Sequence, residues 1–417
     1  VVLGIAVSVF ALATLGLALL VEPVPSWYYH LAWWSYIVAV DDLNRRGGGR
    51  SLLRDRRRRL LRLAGVSVAW WTLFEVLNLR LGNWYYVMDD PRRAVRWLGG
   101  AVAFATVLPG IAVTLACVER RGWLRAVAVP PLAWSAGRDR ACAVLGALSL
   151  ALLLWQPRYF FPLAWAWTVL LIEPWNRRHA RRSYLRDLVR GEAGPLCQAL
   201  LAGLICGLLW ETWNYWARTK WIYTVPFLER LKLFEMPLLG FLGFPPFAVA
   251  CLGLIRFLQA VGERWRPRGP LEAVAWAGLS AATALAFVAT EGATVDSYYV
   301  PVRALRVIEP RVRQRLADLG LGSPEKVQRA LGSEAGLETW SRRSGLGRRE
   351  LEQARAAAEL VTHRGLGEGR ARELGAIGVA SVADLRRWRA DELARQLRAR
   401  GAASPFLERR ARVWVAP

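Results

Sequence analysis

Long apolar stretches separated by short polar or arginine-rich segments fill the first 290 or so residues, and a finely mixed charged pattern follows them. Nine stretches read as membrane-crossing helices: 1–20, 27–40, 63–77, 97–117, 141–155, 159–172, 196–215, 236–258 and 271–289. Several approach or exceed the roughly 18 apolar residues that a bilayer crossing requires. The first has no basic residue before it and is longer than the apolar part of a signal peptide, so it reads as a span. Residues 123–134 contain Pro130-Pro131, are too short and broken to cross, and read as interfacial.

The pattern occurs twice. Residues 31–46 align without a gap on 163–178, Leu31-Ala32-Trp33 with Leu163-Ala164-Trp165 and Asn44-Arg45-Arg46 with Asn176-Arg177-Arg178. Ser51 and Asp55 then match Ser183 and Asp187. After a short insertion Glu75 and Asn78 match Glu211 and Asn214, Trp84 and Tyr86 match Trp221 and Tyr223, and Pro109 matches Pro246. Chance likeness of apolar helices would preserve Leu and Ala, not Glu-x-x-Asn, so the expectation is a duplicated unit. Four spans per unit is an even number, which makes the two repeats parallel. The expected fold is all-α: a polytopic transmembrane bundle of two parallel four-helix repeats plus one further helix, with a C-terminal soluble helix-hairpin-helix domain. The boundaries are 1–132, 133–268, 269–300 and 301–417.

Composition agrees with this class. Apolar residues make up 54% of the chain and there are 22 Trp, which argues against a soluble globule. The net charge of +24 is nearly all Arg and is clustered at 44–60, 176–190 and 263–268. Such loops stay cytoplasmic, so the expected location is the bacterial inner membrane, with anionic lipid headgroups as partners. One further span then leaves the tail outside, although a helix-hairpin-helix domain is commoner inside. The charge rule rests on several loops and takes precedence. The cysteines form no CxxC and the three histidines no ligand cluster, so no metal is expected. No phosphate-binding loop or dinucleotide fingerprint occurs, and no cofactor is expected.

In the tail, Gly365, Gly367 and Gly369 form a glycine turn before a helix, and Ser381 with Asp384 fits a capped second helix. A weaker copy covers 308–330, with Pro310 at the turn. Residues 307–413 resemble a bacterial domain of unknown function built from tandem helix-hairpin-helix units. That resemblance implies either a backbone turn that binds phosphate or a module for protein contact. Charge mixing and the single intact turn favour a protein partner over nucleic acid.

The repeated polar residues carry the candidate chemistry. The i, i+3 spacing puts Glu75 with Asn78, and Glu211 with Asn214, on one face of each helix. Glu235 enters the same layer from a loop. The aromatics alone would also serve as an interfacial belt. Carboxyl groups buried among rings, however, suit proton donation to a carbon–carbon double bond, with π faces stabilising the carbocation. Catalytic candidates are therefore Glu235, Glu211 and Glu75, and substrate-binding candidates Asn78, Asn214, Trp84, Tyr86, Trp221 and Tyr223.

Gly82-Asn83-Trp84-Tyr85-Tyr86, Lys220-Trp221-Ile222-Tyr223 and Phe234-Glu235-Met236-Pro237-Leu238, followed by the aromatic segment 241–247, resemble the membrane-integral lycopene cyclase family. The resemblance implies a duplicated unit and a non-redox, acid-catalysed rearrangement of a carotenoid or other apolar isoprenoid, with Glu235 foremost. This chain departs from the family in having Glu before Pro, a single Glu there, and Leu98-Gly99 at the corresponding place of the first unit. A transporter, or a lipid-binding scaffold that displays the tail, is the alternative reading.

Overall fold

The computed structural model describes residues 1–225, 231–265, 269–402 and 404–416. It is predominantly helical. The bundle comprises α1 (Val2–Ala18), α2 (Val24–Arg46), α3 (Arg57–Leu81), α4 (Arg93–Phe104), α5 (Val107–Arg120), α6 (Ala136–Trp155), α7 (Pro157–Phe160), α8 (Leu163–His179), α9 (Tyr184–Val189), α10 (Gly194–Trp216), α11 (Phe244–Trp265) and α12 (Pro270–Thr294). The tail comprises α13 (Pro310–Asp318), α14 (Pro324–Leu331), α15 (Glu334–Ser344), α16 (Arg348–Thr362), α17 (Gly367–Gly375), α18 (Val382–Leu385), α19 (Ala390–Ala399) and α20 (Leu407–Val415).

Among the described residues, five segments are long and apolar enough to cross a membrane: Arg57–Leu81, Arg93–Arg120, Gly194–Trp216, Leu238–Trp265 and Pro270–Thr294. By that measure the expected nine become five. Helices α1 and α8 have 17 residues each, and α6 opens on Arg138, Asp139 and Arg140. The eighth expected span also starts later than its apolar run. Residues 238–243 form a 3-10 turn, and α11 begins beside Pro245-Pro246, because proline fits a helix's first turn but not its interior. Residues 123–134 form no helix.

Helix ends sort into two layers. At one end Arg177 and Arg178 pair with Asp139, Arg181 with Glu263, Arg182 with Glu119 and Arg62 with Glu272. This is the layer of the arginine-rich loops. At the other end Arg80 donates to the Trp155 carbonyl, Arg96 pairs with Glu291, and Arg218 pairs with Glu22. Two short strands, β1 (Trp84–Val87) and β2 (Lys220–Tyr223), join antiparallel in this second layer. Helix α12 runs from the arginine-rich layer to the ribbon, where Val295 bridges Tyr86. The tail therefore sits at the end opposite the basic loops.

The ribbon links the two halves because successive strand residues point to opposite faces. Tyr85, Val87 and Ile222 are buried in the same core as Val302, Leu305, Leu366 and Trp414 of the tail. Trp84, Tyr86, Trp221 and Tyr223 face the bundle core instead. Gly365 (φ 66°) and Gly367 (φ 69°) adopt conformations that favour glycine. A Cβ at Gly365 would lie 2.3 Å from the Val87 side chain, and one at Gly367 2.7 Å from Ser297. Ser297 Oγ donates to the Gly365 carbonyl at 2.5 Å and accepts from Met88 N at 2.9 Å. What this glycine turn receives is the chain's own ribbon, while Gly369 remains exposed. Further along, Ser381 caps α18 and Asp384 completes the capping box, as its sequence predicts.

Candidate functional site

The site grows from the end of α3. Gly82 closes the helix in the left-handed conformation (φ 58°). One turn back, Asn78 Nδ2 donates to the Trp84 carbonyl at 2.8 Å, and its Oδ1 accepts from Asn83 N at 2.9 Å. Asn214 treats β2 alike, donating to the Trp221 carbonyl and accepting from Trp221 N, both at 2.9 Å. Each asparagine thus fixes the ribbon strand that follows its helix. Each glutamate, three residues earlier, receives that strand's tyrosine: Tyr86 OH donates to Glu75 Oε1 at 2.6 Å, and Tyr223 OH to Glu211 Oε1 at 2.9 Å. Glu-x-x-Asn followed by Trp-x-Tyr is a local bonding pattern. Burial raises the phenol pKa of Tyr86 and Tyr223 well above the usual range, so both hydroxyls remain donors.

The two glutamates differ in what surrounds them. Glu75 Oε1 also accepts from Trp71 Nε1 at 2.8 Å and Trp84 Nε1 at 3.1 Å. Its Oε2 has only the longer contact to Trp84 Nε1, at 3.3 Å. Among the described residues no Lys or Arg pairs with it. Four residues before Glu211 stands Gly207 rather than tryptophan, and its missing side chain lets Phe244 of α11 come close. Glu211 is fully buried, with Oε2 lacking a hydrogen-bond partner.

A cavity of about 680 Å³ lies beside Glu75. Trp84, Tyr86, Trp221 and Tyr223 line it, as do Trp71, Trp165, Trp210 and Phe247. Glu211, Glu235, Asn78 and Asn214 do not. Glu235 stands in the tight turn between β3 (Lys232–Leu233) and β4 (Met236–Pro237), next to Phe234, whose φ is 58°. Its Oε1 accepts from Lys220 Nζ at 2.9 Å, and Arg364 of the tail is 3.9 Å from Oε2. Both basic contacts fall on Glu235, and its side chain does not border the cavity. Of the three candidate glutamates, Glu75 is the one that lines the cavity.

The ribbon-end rim of the cavity is polar, with His30, Asp89, Asp90, Arg96 and Glu291. Burial pushes the Asp89 carboxyl up to about 6, against the opposing pull of the Asp90 N–H and of Arg96. The folded state therefore holds this proton more tightly than the unfolded chain. Stability falls as pH rises from about 4 towards 6, and the penalty is full above that. Asp89→Asn keeps an acceptor for Asp90 N and removes the charge. It is expected to stabilise the protein by about 1–2 kcal/mol at pH 8, after allowance for partial solvation, and by nothing near pH 4. Thermal unfolding of the detergent-solubilised protein at the two pH values measures the difference.

Sequence reasoning missed Trp71, Asp89, Arg96 and Glu291. Only Trp71 carried a local signal, its i, i+4 relation to Glu75. The rim residues come together from α4, α12 and the loop after β1, which nothing in their own segments announces.

Residues 306–411 match the family model described as a domain of unknown function (DUF4332). No curated protein matches the chain, and no solved structure matches it.

Proposed function

We propose that this chain is an enzyme of the cytoplasmic membrane that rearranges a polyene isoprenoid, with Glu75 as the acid. The observation that carries the reading is Glu75 itself. It is a buried carboxyl at the wall of an aromatic cavity, with one oxygen saturated by donors, the other nearly free and no basic partner among the described residues. Oε2 is then the oxygen that carries the transferable proton. The proton adds to a terminal carbon–carbon double bond and leaves a carbocation on the neighbouring carbon. The π electrons of a second double bond attack that cation and close a ring. A carbon next to the new cation returns a proton to the Glu75 carboxylate. Atoms and electrons balance within substrate and acid, so the product is an isomer and no cofactor enters. Preorganised donors on Oε1 hold the developing carboxylate in place.

The reading includes a duplicated unit and a tail outside the cell. Matched bonds support the duplication. Ser51 Oγ donates to Asp41 at 2.5 Å and Ser183 Oγ to Glu173 at 2.8 Å; Asn44 donates to the Val113 carbonyl at 2.9 Å and Asn176 to that of Gly253 at 3.0 Å. The ribbon register is reciprocal: Trp84 faces Tyr223 and Tyr86 faces Trp221 across the central pair Tyr85 and Ile222. That is the pairing a two-fold axis along the bundle would give. The positive-inside rule applied to the arginine-rich layer supports the exterior tail.

The test supplies the purified chain, in vesicles, with an acyclic carotenoid such as lycopene in deuterated buffer. A chromatographically distinct isomer that has gained one deuterium is the expected product. Recovery of unlabelled, unrearranged polyene from folded protein would remove the enzymatic reading.

A further inference from the structure

We infer that the cavity beside Glu75 binds apolar amphiphiles bearing a permanent positive charge, a quaternary ammonium head, with Glu75 as counterion. Three observations converge on it. The first is the wall. The Trp71 ring centroid lies 6.1 Å from that of Trp84, 6.1 Å from Phe104 and 5.8 Å from Phe247, so indole and phenyl rings cluster in the same cavity wall as Glu75. Such faces attract weakly hydrated cations through their quadrupoles. The second is charge. The chain as a whole carries +24, yet the cavity lining holds four carboxyl groups (Glu75, Asp89, Asp90 and Glu291) against Arg96, Lys220 and the imidazole of His30. Arg96 pairs with Glu291 and Lys220 with Glu235; Asp90 pairs with Arg92 and Glu291 also with Arg93, so Glu75 and Asp89 are the lining carboxyls with no ion pair among the described residues. An anionic head, such as a diphosphate, would meet carboxylates and find both cations engaged. The third is Glu75, whose donors are neutral indole and phenol groups, so once it has given up its proton its charge is left for a ligand to neutralise.

This deepens the proposed chemistry, since an ammonium ion beside the Glu75 carboxylate reproduces the charges present just after proton transfer. It rests on the same cavity but not on turnover.

The full chain in uncharged maltoside micelles is titrated with three probes of equal chain length: an alkyltrimethylammonium, its neutral tert-butyl isostere and an alkyl phosphate. The ammonium probe is expected to bind roughly ten-fold tighter than either of the others. Glu75→Gln should erase that preference. Phe247→Leu, which leaves every charge in place, should narrow it and serves as the second variant if Glu75→Gln fails to fold. Equal affinities for the three probes overturn the inference, as does a preference that survives intact in both folded variants. Ammonium selectivity without polyene conversion removes the enzymatic reading alone; conversion without selectivity removes this inference alone.

Discussion

Replacing Asp296 by alanine is expected to loosen the tail from the bundle at a cost of about 3–5 kcal/mol, the range for removing one partner of a buried ion pair. Asp296 is almost fully buried between Arg370, at 3.0 Å, and Arg410, at 2.5 Å. Arg370 would keep Glu373 as a partner, whereas Arg410 would be left with the Ala293 carbonyl and the face of Tyr85. The alternative for that guanidinium is water, and reaching water means opening the interface. Asp296→Asn keeps an acceptor and should lose less than Asp296→Ala. Hydrogen exchange on the intact chain separates the outcomes. Protection should fall in the ribbon strands and the tail helices of Asp296→Ala while α6 and α8 keep theirs. Unchanged ribbon protection would mean that the apolar contacts of Val87 and Ile222 hold the tail without the ions. The prediction reaches the cavity too, because the strand that carries Tyr85 into the tail carries Tyr86 to Glu75.

What could be read from the sequence follows the range of the interactions. Apolar runs gave the bundle helices, since a helix satisfies its own backbone within the run. Glu75, Asn78 and their counterparts were found because the same Glu-x-x-Asn spacing occurs twice in the sequence. The ribbon was not foreseen. Trp84-Tyr85-Tyr86-Val87 shows no polar alternation, because the bundle buries one face and the tail the other, so it read as an interfacial belt. The glycine turn was legible as a turn, but not its occupant: Val87 and Ser297 arrive from 278 and 70 positions before Gly365 and Gly367. The ion pair of Glu235 was hidden for a similar reason. Its sequence neighbours are apolar, and the ammonium group that neutralises it belongs to Lys220, across the ribbon.

The choice among the three carboxyls gives the largest expected effect on activity. Glu75→Gln keeps the shape of the side chain and an acceptor for Trp71 and Tyr86, and it removes the one carboxyl among the described residues that borders the aromatic part of the cavity. Conversion should fall by about 10³-fold, within the range for loss of a general acid. Tyr86→Phe removes one of three donors to Oε1 and should cost about 10-fold, since the two indoles remain. Glu235→Gln should leave conversion within a few-fold and instead lower stability, because Lys220, only 18% exposed, loses its ion pair. Glu211→Gln should resemble Glu235→Gln in activity, as neither side chain borders the cavity. Product yields by chromatography, normalised to folded protein, distinguish the four variants. Full activity in Glu75→Gln with loss in Glu235→Gln would return the acid role to the turn between β3 and β4. It would also require Glu235, now 2.9 Å from Lys220 Nζ and outside the cavity lining, to reach the substrate.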